Sequence, residues 1–281
     1  MSDSATTQAP DWNSFARKQA HERFRKQSAI MGSELTRLIV RQADVHPNMQ
    51  VLDVACGSGE PAISIAAQMN GTGQVVGTDI STEPLAVARD RAQQRGLTNL
   101  QFQEADVAKL PLANESFDRV TCRLGLMYFA DVPRSLAEIR RVLRPEGRFT
   151  AATWGPISQP YFEITVGTIL RFMPYLSIPE AAHMIFRFGD PDTVRRALQS
   201  LGFADVHSEL RTVAWNWEGS PQELWQYFQA VTVPFAALFQ AIPAGRKAEI
   251  DRAVEMGIAR LFDGTRVRID AQFTLATAVK G

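Results

Sequence analysis

The stretch that decides the fold is Met49-Gln50-Val51-Leu52-Asp53-Val54-Ala55-Cys56-Gly57-Ser58-Gly59-Glu60-Pro61. Its first half, 49–55, is an apolar run with β-branched residues, which predicts a strand buried on both faces. The glycines end this strand, and Pro61 suits the first turn of a following helix. A strand that enters a helix through Gly-x-Gly lets a ligand approach the backbone, and the helix dipole favours a polar or anionic group there. The stretch therefore predicts a nucleotide-type pocket.

Asp53 adds a carboxylate near the end of that strand. The glycine segment alone also fits the G-x-G-x-x-G/A pattern of dinucleotide enzymes. A nicotinamide site, however, usually has only apolar residues at this position and no cationic ligand group to receive the charge. The acidic residue followed by the glycines resembles the first motif of class I S-adenosylmethionine-dependent methyltransferases. In that family these residues surround the methionine end of the cofactor, whose ammonium and sulfonium are positive, and Asp53 suits such a ligand.

The composition argues against several classes of partner. The chain has 281 residues, 45% of them hydrophobic, and its 30 basic residues balance 30 acidic ones without a dense run of either sign. We therefore expect no nucleic-acid or anionic-membrane partner and favour a small neutral substrate. The first eight residues lack the features of a signal peptide and no apolar run has the length of a membrane span, so we expect a cytoplasmic protein. Two cysteines are too few for a disulfide framework and are expected to be structural.

A second carboxylate, Asp79, ends the next predicted strand, 74–79. It lies about twenty positions beyond the glycine loop, where a carboxylate can accept hydrogen bonds from both ribose hydroxyls. The alternative is a charge at the start of the following helix, for which Ser81 and Thr82 are candidate caps. Because position and chemistry agree, we favour the ribose role.

The following motifs continue the resemblance in order. Predicted strands at 100–104, 117–122 and 148–154 are accompanied by Asp106, Phe117-Asp118 and the segment 141–147. Together with the aspartate-glycine loop and Asp79, they resemble the UbiE/COQ5-like methyltransferases (methyltransferase type 11) over about residues 50–154. Glu146 departs from the family, which often has a second glycine there, and we expect this to affect only a turn.

The resemblance implies a set of cofactor contacts. An aspartate at the place of Asp106 takes the adenine amino group in the family, and the backbone N–H of the next residue, Val107, meets the ring. The residues implied to bind S-adenosylmethionine, or its product S-adenosylhomocysteine, are Asp53, Ala55, Gly57, Ser58, Gly59, Asp79, Ile80, Asp106, Val107 and Arg123.

The rest of the chain completes an α/β fold. Helical spacing predicts two helices before the first strand, residues 204–214 read as a sixth strand, and the final stretch alternates with period two from Val267 to Val279. We expect a doubly wound, Rossmann-like, mostly parallel sheet of seven strands. The expected divisions are a disordered tail at 1–10, N-terminal helices at 11–45, core at 46–155, 190–214 and 265–281, and apolar cap insertions at 156–189 and 215–264.

Methyl transfer from a sulfonium can rely largely on alignment and desolvation, so a catalytic base is optional. Tyr128 and His183 are the candidates, ahead of His21 and Glu163, although such a histidine is more often a partly buried helix residue. The histidines are scattered and show no metal-ligand spacing, so we expect no metal. The Asn/Asp-Pro-Pro-Tyr/Phe element of amide and base methylation is absent from the sequence, which disfavours those acceptors.

The sequence thus favours methyl transfer to a small apolar or aromatic acceptor through an O, C, S or N nucleophile. Two other functions stay open, a nicotinamide-dependent oxidoreductase and a catalytically silent protein that binds S-adenosylmethionine or a partner. The apolar insertions are compatible with a monomer whose cap selects the acceptor or with a homodimer interface.

Overall fold

The computed structural model describes the backbone of residues 15–281. The expected tail at 1–10 lies outside the described residues, and the side chain of the candidate base His21 is also outside the description. The helices are α1 (Phe15–Arg23), α2 (Arg25–Met31), α3 (Ser33–Ala43), α4 (Ala62–Gln68), α5 (Thr82–Gln94), α6 (Val132–Val142), α7 (Pro160–Ile164), α8 (Val166–Phe172), α9 (Glu180–Phe186), α10 (Pro191–Ser200), α11 (Pro221–Val231), α12 (Ala236–Gln240) and α13 (Ala244–Ala259). The strands are β1 (Gln50–Val54), β2 (Gln74–Asp79), β3 (Leu100–Glu104), β4 (Phe117–Arg123), β5 (Leu143–Trp154), β6 (Phe203–Glu218) and β7 (Arg266–Lys280).

The seven strands form one sheet in the order β3-β2-β1-β4-β5-β7-β6. Strands β1 to β5 pair in parallel, whereas β7 runs antiparallel to β5 with Trp154 opposite Phe273. This arrangement confirms the predicted doubly wound α/β fold. The chain moves outward from β1 to β3 and then returns to place β4 beside β1, so the carboxyl ends of β1, β2 and β4 share the edge at which such sheets bind ligands.

The described chain divides into two compact units. The sheet unit comprises Leu35–Gly155, Phe188–Arg211 and Phe273–Gly281, and the helical unit comprises the described part of Met1–Glu34 with Pro156–Arg187 and Thr212–Gln272.

The core of the sheet unit follows from the pattern of the opening stretch. Val51, Leu52 and Val54 of β1 have no exposed surface. The side chains of α4 that pack with β1 and β2 in one apolar cluster are Ala62, Ile63, Ile65 and Ala66, and Met69, directly after the helix, joins them. Since both faces of β1 are covered, the one polar side chain between these residues, Asp53, is buried with them.

The helical unit has a core of aromatic rings. The Phe24 ring lies 5.3 Å from that of Trp217 and 6.0 Å from that of Tyr227, and the Tyr161 ring lies 5.3 Å from that of Phe228. Helix α11 begins in a capping box, in which Ser220 and Glu223 each accept a hydrogen bond from the other's backbone N–H.

Several predicted boundaries were wrong. Helices α1, α2 and α3 stand where two helices were predicted, because the helix breaks at Phe24 and again at Gly32. Strand β6 extends beyond the predicted end at 214, since its buried face continues in steps of two through Val213, Trp215 and Trp217.

Two further details differ from the sequence pattern. The period-two pattern of β7 holds from Val267 to Phe273, but Phe273 through Ala276 are all buried, so both faces of β7 are covered in this part of the strand. Glu146 has φ of +60°, a left-handed conformation that glycine adopts at lower cost, which gives a physical reason for the glycine common at this position in the family.

Candidate functional site

The glycine loop leaves an open approach at Gly57. This residue has φ of +52°, and a Cβ built onto it would meet no atom within 4 Å. Its backbone N–H donates to Oδ2 of Asp79 at 2.8 Å, so the carboxylate at the end of β2 holds the loop that follows β1. The backbone at Gly57 is therefore both fixed and accessible to a ligand.

Asp79 lies partly buried at the carboxyl end of β2. Its second oxygen, Oδ1, accepts a hydrogen bond from the Ser81 N–H at 3.0 Å, next to the start of α5. A carboxylate has about four lone-pair positions, so each oxygen retains acceptor capacity for a ligand. The neighbouring Ile80 is 68% exposed, which is unusual for a large apolar side chain and places an apolar surface beside the carboxylate.

Asp53 is the one buried carboxylate among the described side chains. Thr121 Oγ1 donates to its Oδ1 at 2.8 Å, and the Ala62 N–H donates to its Oδ2 at 3.1 Å. Burial raises the pKa of Asp53 from 3.8 to about 7, while these two hydrogen bonds oppose the shift. Asp53 thus connects β1 to β4 and to the first turn of α4, and its contact with a ligand stays a prediction.

Two further predicted residues, Arg123 and Tyr128, lie at the carboxyl end of β4 and in the turn that follows it. Arg123 is partly buried, and its Nε donates to the Glu60 carbonyl at 3.4 Å. Tyr128 is also partly buried, at the end of a single turn, Leu126–Tyr128, whose closing N–H donates to the Gly125 carbonyl at 2.8 Å.

Ala55 and Gly125 approach each other closely at this edge of the sheet. Ala55 has φ of +53°, a conformation that costs an L-residue about 1 to 2 kcal/mol. A Cβ built onto Gly125 would lie 2.5 Å from the Ala55 Cβ and 2.9 Å from Cys122 Sγ. Gly125 therefore leaves the room that the Ala55 methyl group occupies.

This contact predicts coupled effects on stability. Gly125→Ala should destabilise the protein by about 1 to 3 kcal/mol through overpacking, whereas Ala55→Gly should be close to neutral, because relief of strain offsets the added freedom of the unfolded chain. The double variant should be more stable than Gly125→Ala alone, as measured by urea denaturation. Strictly additive free energies of unfolding would contradict the contact.

Two further predicted site residues, Asp106 and His183, have exposed side chains. Asp106 is exposed, and its Oδ1 accepts from the Ala108 N–H at 2.9 Å as the cap of the turn Val107–Lys109. His183 is exposed on α9 of the helical unit and is therefore not in the same unit as Tyr128. Both cysteines, Cys56 and Cys122, are buried, and burial raises the pKa of each thiol.

Three residues that the sequence did not single out contribute to the geometry: Thr121, Gly125 and Arg91. Each acts through a partner distant in sequence, so no local pattern marks it.

A surface groove of about 390 Å³, lined by Met49, Asp118 and Arg144 among others, lies at the amino ends of β1 and β4 and so at the opposite edge of the sheet. Within the described residues no three metal-ligating side chains lie together, and the expectation of a metal-free site stays a prediction.

Comparisons with known proteins identify the family. A family model described as "Methyltransferase domain" matches residues 45–164. A demethylmenaquinone methyltransferase of Deinococcus radiodurans is 30% identical over 197 residues, covering 65% of this chain and 80% of the relative. The chain belongs to the UbiE-type, class I S-adenosylmethionine-dependent methyltransferases. The ubiquinone/menaquinone biosynthesis C-methyltransferase UbiE of Bordetella avium is also a relative, 32% identical over 59% of this chain and 68% of the relative.

The crystal structure of the YcgJ protein of Bacillus subtilis shares the methyltransferase fold. Its TM-score is 0.57 at 20% identity, with 87% of this chain and 97% of that chain covered. In the sequence comparison, the chain spans about half the length of the first curated relatives it matches, 49% and 54%. Among the described helices of this chain, none combines the length and apolar character needed to cross a membrane.

The residues present fit the cofactor of this methyltransferase family. The open position at Gly57 admits a ligand to the backbone, and the Asp79 carboxylate is an acceptor suited to sugar hydroxyls. The exposed Ile80 side chain beside Asp79 offers an apolar surface of the kind on which an aromatic base can lie.

Proposed function

We propose that the chain transfers the methyl group of S-adenosylmethionine to a small organic acceptor. The observation that carries the proposal is a hydrogen bond between the carboxyl ends of β1 and β2. The Asp79 carboxylate accepts it at 2.8 Å from the Gly57 N–H and so holds the open glycine loop. Family membership supports the same activity. When bound, the cofactor supplies a methyl group on a positively charged sulfur, open to in-line attack by a nucleophile.

The chain's own residues would bind the cofactor and orient it. We assign the ribose hydroxyls to Asp79, the adenine amino group to Asp106, and the adenine ring to Ile80 and the backbone N–H of Val107. The segment Ala55 to Gly59 would contact the methionine end, with Asp53 beneath it and Arg123 beside it. The direct hydrogen bonds from Thr121 and Ala62 to Asp53 support a role in holding β4 and the first turn of α4 on either side of this segment.

The acceptor is proposed to be apolar or aromatic. Two relatives carry names that refer to demethylmenaquinone and to ubiquinone and menaquinone biosynthesis, which supports a quinol-like ring as the first acceptor class to test. A base is required only where the nucleophile must lose a proton. Tyr128, in the same unit as the glycine loop, is then the first candidate, and the exposed His183 the second.

We also propose that the helical unit supplies the acceptor specificity. It holds residues 156–187 of the predicted insertion 156–189 and the whole of the predicted insertion 215–264. Its core is built from large aromatic residues such as Phe162, Trp225 and Phe228. The first insertion follows directly from β5, at the carboxyl end of that strand.

Calorimetry followed by a methyl-transfer assay tests the proposal. We expect the protein to bind S-adenosylhomocysteine and not NAD, and to methylate at least one member of a panel of quinols, phenols, thiols and amines. Activity should persist in EDTA. Binding of NAD alone would favour the oxidoreductase alternative, and binding of S-adenosylhomocysteine without turnover on any acceptor would favour a silent binding protein. Loss of activity on chelation, with recovery on added Mg²⁺ or Zn²⁺, would reveal a metal site.

A further inference from the structure

Arg91 connects helix α5 to the glycine loop by two hydrogen bonds. Its Nη1 donates to the Ser58 carbonyl at 2.5 Å, and its Nη2 donates to Oε1 of Glu60 at 3.0 Å. The other carboxylate oxygen of Glu60 accepts from Ser64 Oγ at 2.6 Å, and the Glu60 carbonyl accepts from Arg123. Helix α5, helix α4 and the end of β4 therefore all hold one short loop.

The Arg91–Glu60 pair is more enclosed than an ordinary surface ion pair. Each of the two side chains is only 16% exposed. A charge-assisted hydrogen bond in such surroundings is stronger than one in water, and removal of one partner leaves the other charge poorly solvated. The fork of the guanidinium also fixes geometry, because it orients a carbonyl and a carboxylate at the same time.

The loop is held at other points along its length as well. Gly57 N–H donates to Asp79, and Gly59 N–H donates to the Cys56 carbonyl at 2.9 Å. Arg91 holds the Ser58 carbonyl, which belongs to the same peptide as the Gly59 N–H. The two hydrogen bonds, one from Arg91 and one to the Cys56 carbonyl, together fix the orientation of this peptide and with it the backbone surface available to a ligand at the loop.

Arg91 also determines the charge at the loop. Without Arg91, the Glu60 carboxylate would face the binding loop with Ser64 as its remaining direct donor. A ligand that carries its own carboxylate, as the amino-acid part of S-adenosylmethionine does, would then meet an additional negative charge. The same arginine therefore sets both the shape and the electrostatics of the loop.

We propose that Arg91 is a positioning residue for cofactor binding, which holds the Ser58 carbonyl and neutralises Glu60 without touching the ligand. This inference rests on the proposed function, because it names a determinant of the same cofactor site. It predicts that the loop loses affinity when Arg91 is removed, even where the fold is retained.

The matched control is Arg89 on the same helix. Its Nη2 donates to the Phe102 carbonyl of β3 at 3.0 Å, so it also ties α5 to the sheet unit, by a hydrogen bond to a strand instead of to Ser58 or Glu60. Arg91→Met and Arg89→Met remove comparable helix-to-backbone hydrogen bonds. A general loosening of α5 would affect both variants, and a specific effect on the loop would affect only the first.

The experiment measures the dissociation constant for S-adenosylhomocysteine by calorimetry and the melting temperature of each variant. Arg91→Met should weaken binding about tenfold, and Arg89→Met should stay within about twofold of the wild type. Arg91→Lys should recover part of the affinity, since an ammonium keeps the charge opposite Glu60 but cannot form the fork. Adding Glu60→Gln to Arg91→Met should also recover part of it, because the uncompensated carboxylate is removed.

The outcomes separate this inference from the proposed function. If the wild type does not bind S-adenosylhomocysteine at all, the proposed function fails. If the wild type binds and Arg91→Met binds within twofold of it, the positioning role is overturned. Equal loss of affinity in Arg91→Met and Arg89→Met, with neither partial rescue, would also overturn it, because the effect would then belong to α5 as a whole.

Discussion

Replacing Asp79 by alanine should weaken the binding of S-adenosylhomocysteine by roughly 10- to 100-fold, which corresponds to about 1.5 to 3 kcal/mol. The substitution removes the proposed acceptor of the ribose hydroxyls. It also removes the acceptors of the Gly57 and Ser81 N–H groups, so the loop after β1 is no longer fastened to β2. Calorimetry of wild type and variant measures the effect.

Two companion variants make the Asp79 result specific. Asp79→Asn keeps the shape but retains only one acceptor oxygen, so we expect an intermediate loss. Glu104→Ala removes the exposed carboxylate opposite Asp79 in the register of β2 and β3, and should bind normally. Unchanged affinity in folded Asp79→Ala would refute the ribose assignment.

The second large effect concerns pH and Asp53. The pKa of Asp53 is raised from 3.8 to about 7 by burial, so the folded protein holds this proton more tightly than the unfolded chain. The resulting stabilisation is complete below pH 3.8 and is lost as the pH rises to about 7. At about 1.4 kcal/mol per pKa unit, the loss approaches about 4 kcal/mol.

The comparison of wild type with Asp53→Asn isolates this group. The free energy of unfolding of the wild type minus that of the variant should fall as the pH rises from about 4 to 7 and then level off. Thr121→Val removes a hydrogen bond that favours the ionised carboxylate, so it should move the end of this fall to higher pH. A difference between wild type and Asp53→Asn that is constant from pH 4 to 8 would show that Asp53 is not buried as described.

The sequence predicted the parts of the site that arise from local pattern. The apolar run around Asp53 predicted β1 and its burial, and the position of Asp79 predicted the end of β2, because strand periodicity and chain order determine both. Those two facts suffice to bring the glycine loop and the second carboxylate to one edge of a parallel sheet.

The contacts that fix the loop could not be predicted in the same way. Arg91 has the spacing of an ordinary helix-surface arginine, and its partners Ser58 and Glu60 lie more than thirty residues earlier. The fit of Ala55 against Gly125 depends on β1 and β4 being neighbours and on a left-handed φ at an alanine. Such contacts follow from tertiary packing, which overrides local preference.

The start of the second insertion could not be predicted from local patterns either. The sequence marked 215–264 as one insertion, whereas the strand before it continues to Glu218, since Trp215 and Trp217 keep the alternation of β6. Aromatic residues pack equally well in strands and in helical cores, so composition alone does not place such a boundary.

The measurement that tests the central claim most directly is a crystal structure of the protein with S-adenosylhomocysteine. We predict density at the carboxyl ends of β1 and β2, with the ribose hydroxyls within hydrogen-bond distance of the Asp79 carboxylate and the amino-acid part against Gly57. Density at another place, such as the groove lined by Asp118 and Arg144 at the opposite edge of the sheet, with an empty glycine loop, would contradict the account.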